Sequence, residues 1–157
     1  MSWRLGAVMA VALGVSAPAQ AQTLAVNVGA IDVVGLPPQH LGFYPYAGVS
    51  LAVASGPLTF IPAVALEYSP DQSRWGAVLT LTLDYSVAEW MGVDLNLGLI
   101  HDMAAFDFAA SAFFLGGGPG VTFLFGKLSV SPGVNLFRGL NVPGWALVPA
   151  LNVGYSF

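Results

Sequence analysis

The chain has 157 residues, 56% of them hydrophobic and 8% charged, with 19 Gly, 11 Pro, no Cys and a mean hydropathy of +0.75. Soluble domains carry roughly 25% charged residues and disordered chains are poor in apolar ones, so both classes are excluded and lipid is the expected solvent. Four Lys and Arg against eight Asp and Glu leave no basic patch for nucleic acid, and the absence of Cys excludes a disulfide framework and thiolate metal sites.

In chain order, Arg4 precedes an apolar run over residues 5–15, and Ala19-Gln20-Ala21 forms a small-x-small site before Gln22. This is the pattern of a secretory signal peptide over residues 1–21, with an apolar run short of the ~20 residues a spanning helix needs. Export is the expectation. Cleavage would leave 136 residues, 22–157, with Arg74, Lys127 and Arg138 as the only bases against eight acids.

The remaining apolar windows, such as 47–66 and 103–125, are broken by Gly56-Pro57, Pro62 and the run 116–120 (Gly-Gly-Gly-Pro-Gly). Inside a helix each Gly is unfavourable by ~1 kcal/mol and each Pro by ~3, so strands fit better. The periodicity agrees. Thr80, Thr82, Asp84 and Ser86 alternate with leucines, Tyr85 and Val87; Asp94, Asn96 and Gly98 alternate with Val93, Leu95 and Leu97. Ser129, Ser131 and Asn135, and then Asn152, repeat the pattern. The polar positions lack Lys, so they do not read as a face turned to bulk water. The apolar face therefore lies outside, in lipid, which only a closed barrel tolerates.

Eight strands are expected, at 23–33, 41–55, 58–69, 76–87, 91–101, 111–125, 128–137 and 145–157. The connections alternate short and long, which puts the short turns in the periplasm. The fold class is all-β, an eight-stranded antiparallel up-and-down transmembrane barrel. Trp75, Trp90, Trp145, Tyr85, Tyr155, Phe43 and Phe125 fall near strand ends, where interface girdles belong.

The pattern resembles the small eight-stranded outer-membrane barrels of Gram-negative bacteria, the OmpA-like, OmpX-like and OmpW-like group. The most specific element is the end of the chain, residues 152–157, which is similar to the terminal assembly signal of that class. Tyr155 and Phe157 occupy its aromatic positions, and Asn152 stands where glycine is usual. The resemblance implies an outer-membrane location, with outer-membrane lipid and the barrel assembly machinery as partners.

Parity turns Glu67, Thr80, Thr82, Asp84, Asp94, Asn96, Ser129, Ser131, Asn135 and Asn152 into the lumen. An eight-stranded barrel is just wide enough to be filled by side chains. Many inward positions here are Gly, Ala or Ser, so a hydrated or ligand-accessible cavity is expected. Pro119, Pro132 and Pro149 share the outward parity of their strands, and each removes a ladder donor. They read as irregularities or as a lateral seam, lined by residues 116–120, through which a small apolar molecule passes; such walls are similar to those of lipid-handling barrels.

Little else carries chemistry. His101 and Asp102, Glu67 and Ser111 suggest a triad only loosely, since triads are defined by geometry. His40 and His101, 61 positions apart, match no metal-ligand spacing, and no phosphate loop is present. The expectation is no catalytic residue, no metal and no cofactor. A structural or surface-interaction barrel comes first, a conduit or binding site for small hydrophobic molecules or lipid second, and a lipid-modifying enzyme last.

Overall fold

The computed structural model describes residues 22–36, 39–70, 73–103 and 112–157; residues 1–21, including the expected signal peptide, lie outside these. Eight strands follow one another: β1 (Gln22–Leu36), β2 (Gln39–Ser55), β3 (Leu58–Ser69), β4 (Arg74–Ala88), β5 (Met91–Met103), β6 (Ala112–Phe125), β7 (Leu128–Gly139) and β8 (Trp145–Ser156). Each pairs antiparallel with the next, and β8 pairs with β1, so the barrel is closed. Closure satisfies the backbone without a free edge, which hydrocarbon requires. β4 begins two residues earlier than the alternation suggests, because Arg74 and Trp75 continue the ladder opposite Ser69 and Tyr68.

The short connections are tight for identifiable reasons. Gly56 (φ 62°) and Gly126 (φ 66°) take the left-handed backbone that two-residue hairpins need. The turns are then tied sideways to neighbouring strands: the amides of Ser86, Leu124 and Ser156 donate to the carbonyls of Pro57, Trp90 and Lys127 at 2.8, 2.9 and 2.9 Å.

The outside is apolar at every strand. Leu24, Val49, Phe60, Leu81, Leu95, Leu115, Val134 and Leu151 are all between 38% and 53% exposed or just above, up to 54% for Leu24. Aromatic side chains bracket this band. Trp75 and Trp145 stand at the long-loop end; Tyr85, Trp90, Phe125 and Tyr155 stand at the short-turn end. From Trp75 to Tyr85 on β4 the chain covers ten residues, about 33 Å along the strand and about 25 Å after tilt, the height of the lipid band in this architecture.

The core lies inside one end of the barrel. Ile31, Ile100, Phe137, Ala146 and Val148 form a buried cluster, with Val33, Tyr44, Val78 and Phe114 packed on it. All belong to strand portions next to the long loops, so the cluster plugs that end. Phe137 reaches across because its path is lined by glycine: its Cζ lies 3.1 Å from where a Cβ of Gly98 would stand.

Gly116, Gly117 and Gly118 do not open the wall. A Cβ at these positions would run into the carbonyls of Leu136, Asn96 and Val134 on the two flanking strands. The glycine run is a close approach of three backbones, which corrects the expectation of a small opening there.

Candidate functional site

Below the plug the lumen holds a cavity of about 480 Å³. Thr80, Thr82 and Asp84 of β4 line it, as do Asp94 and Asn96 of β5, Ser129, Ser131 and Asn135 of β7, and Asn152 of β8. The small residues Ala25, Ala52, Ala63 and Ala65 leave the space that larger side chains would fill. At the short-turn end the lining runs out to Thr23, Ala54, Lys127 and Ser156; at the other end it stops at Ile31, Val78, Ile100, Phe137 and Val148. Among the described residues the lumen is thus open at the short turns and capped by apolar side chains toward the long loops.

Glu67 is buried, but nearer the long-loop end and outside the cavity lining. Its carboxyl lies over Gly76, the residue opposite it on β4, where a side chain would collide.

Hydrogen bonds link the polar side chains across strands. Tyr46 donates to Asn152 Oδ1 at 3.1 Å and Asn27 donates to Ser50 at 2.8 Å. Thr82 donates to Asn96 Oδ1 at 2.7 Å, and Thr122 donates to Asp94 Oδ2 at 2.8 Å. Asn27, Tyr46, Ser50 and Thr122 were not singled out from the sequence. Their alternation with Val26, Ala47, Val49 and Val121 carried the signal in weaker form.

Asp84 and Asp94 are brought face to face as a cross-strand pair. Counting back from the turn at Glu89-Trp90 would set Asp84 opposite Leu95; the register shift between Ser86 and Ala88 brings Asp94 there instead. Asp94 is 4% exposed. Its Oδ1, the Oδ2 of Asp84 and the Oδ1 of Asn135 are buried with no hydrogen-bond partner.

The prolines divide between two junctions. Pro119 O lies 3.3 Å from the Cβ position of Gly133, and Pro132 O lies 3.2 Å from that of Gly120. Both peptide groups therefore face the β6–β7 junction, since the amide and carbonyl of one strand residue point the same way. That ladder keeps Gly117↔Leu136, Gly120↔Gly133 and Phe123↔Val130 and skips the pairs between. At Pro149 the skipped ladder is β1–β8, between Ile31↔Ala150 and Val34↔Leu147, while β7–β8 is continuous. A single seam through all three is not what the backbone forms.

Of the loosely suggested triad, the described members His101 and Glu67 stand on opposite faces of the wall. Ile100 is in the plug, so its neighbour His101 turns to the opposite face, where it stacks on Phe113 at 4.4 Å. Glu67 faces inward. Ser111 and the Asp102 side chain lie outside the described residues. Among the described residues no three His, Asp or Glu gather as a metal site.

No family model and no curated protein matches the chain. Solved structures do match. Neisserial surface protein A (NspA) aligns at 11% identity with TM-score 0.53, over 87% of this chain and 97% of that one. Ail, the attachment invasion locus protein of Yersinia pestis, aligns at 11% identity with TM-score 0.51, over 87% and 97%. A de novo designed transmembrane β-barrel aligns at 12% identity with TM-score 0.56, over 86% and 95%. At such identities the likeness establishes the fold, that of the small outer-membrane β-barrels.

Proposed function

We propose that this chain is a small outer-membrane barrel with a structural or surface-interaction role, and not a through-channel. The observation that supports it is the apolar plug of Ile31, Ile100, Phe137, Ala146 and Val148 across the long-loop end of the lumen. A hydrated ion meeting that layer would give up its water without compensation, which is prohibitive in an apolar medium. The lipid-facing band then anchors the protein, and the long loops are its outward-facing parts. The role so read is non-enzymatic. Purified protein in planar bilayers tests this directly: no ion conductance above protein-free membranes is expected, and steady unitary currents would overturn the reading.

A second reading, a binding site for a small hydrophobic molecule, is supported by the cavity of about 480 Å³. That volume is within the range of small-ligand pockets. It does not require a path through the wall.

A further inference from the structure

The cavity is graded along its length. At its blind end Val78, Ile100, Phe137 and Val148 present only carbon, and near the open end Asp84 and Asp94 face one another. Asp84 and Val78 are six positions apart on β4, about 20 Å along the strand and about 15 Å in depth after tilt.

The unpartnered groups at the acidic level are all of one kind. Asp84 Oδ2 and Asp94 Oδ1 are buried acceptors without donors, and both residues line this cavity; Asn135, which leaves its Oδ1 unpartnered, stands deeper, opposite Val148. Asp94 is 4% exposed, and its other oxygen is already held by Thr122. The lining contains one base, Lys127, which is exposed at the turn where the cavity opens. An anion entering here meets two carboxyl groups and no facing base. A neutral apolar molecule fills the blind end and leaves the acceptors as they are. A bare metal ion occupies only the acidic level and leaves the apolar depth empty.

We propose that the lumen is a blind pocket for an amphipathic cation, an ammonium head carrying a short apolar body, entering from the short-turn end. The head sits between Asp84 and Asp94, and the body extends toward Val78 and Phe137. This rests on the second reading above and names the ligand class. It does not depend on the absence of conduction, because a lumen closed at one end binds without passing anything.

The test is calorimetric titration of the barrel in lipid nanodiscs with octylammonium, whose head has three N–H donors, with octanol as the uncharged comparison and empty nanodiscs as the background. Saturable one-to-one binding above background is expected, at least tenfold tighter than for octanol and at least tenfold weaker in Asp84→Asn/Asp94→Asn. Equal affinity for octanol, or unchanged affinity in the double variant, overturns the cationic ligand while leaving an apolar site standing. No saturable binding of either compound overturns both. Should the double variant fail to fold, Ala63→Phe keeps both carboxyl groups and fills the middle of the lumen. It should weaken octylammonium binding at least tenfold, and unchanged binding there also overturns the proposal.

Discussion

The ring of Phe137 on β7 reaches over Gly116 of β6 to Gly98 on β5, its Cζ 3.1 Å from the place a Cβ would take. The contact is tight because glycine is there, so the two residues act as one closure. Phe137→Ala should cost about 3–5 kcal/mol in a urea unfolding titration in lipid, by analogy with buried aromatic truncations. It should also admit ions where the wild type admits none. Gly98→Leu should be destabilising by about 1–3 kcal/mol through overpacking and should leave the lumen closed. Conductance absent from Phe137→Ala would show that closure does not depend on this ring.

Leu81 and Thr82 are neighbours on β4 with opposite surroundings. Leu81 faces outward beside Pro62 and Leu97 in the register, whereas Thr82 hydrogen-bonds Asn96 at 2.7 Å inside. Leu81→Arg should lose about 2–4 kcal/mol, the amount found for a charge at mid-depth on a lipid face. Thr82→Arg places its charge in the lumen near Asp84 and Asp94 and should lose less. Equal losses in the same refolding titration would contradict the assigned faces.

The chain end makes two kinds of claim that one deletion separates. Tyr155 and Phe157 pack edge to face at 5.6 Å, and the Phe157 amide donates to the Leu24 carbonyl at 3.1 Å. These are exposed, so their loss should lower stability by only about 1 kcal/mol. If the same residues are read by the assembly machinery, deleting Phe157 should reduce the outer-membrane yield in cells far more than it reduces stability in vitro. Unchanged yield would leave only the packing.

The architecture was legible because lipid imposes one rule on every strand. Leu79, Leu81 and Leu83 alternate with Thr80, Thr82 and Asp84, and a period of two survives without help from distant contacts. The lumen was legible by the same parity, down to Asn152. What escaped was depth and side-to-side direction. Parity does not show that Phe137 reaches Gly98, since that depends on the size of residues two strands away. Nor does it show which neighbour a proline's missing amide faces. The glycine run 116–118 reads as an opening in one dimension and is a close approach in three.

That directional difference makes a prediction of its own. Replacing a wall proline by valine returns one amide donor to its ladder, and a net gain of about 0.5–1.5 kcal/mol per restored hydrogen bond is expected where the strand accepts the geometry. Pro132→Val acts on β6–β7 and Pro149→Val on β1–β8, two junctions with no shared ladder partner. Their combined effect should equal the sum of the single effects within about 0.5 kcal/mol. Pro119 and Pro132 face the same junction from opposite sides, on either side of Gly120↔Gly133. Restoring one donor there straightens the strand the other must meet, so Pro119→Val with Pro132→Val should depart from additivity by more than 0.5 kcal/mol, on the order of the coupling seen between contacting residues. Urea midpoints of the three single and two double variants in one lipid decide the matter. Additivity in both pairs would mean that the β6–β7 junction has no cooperative irregularity and that each proline is an isolated local defect.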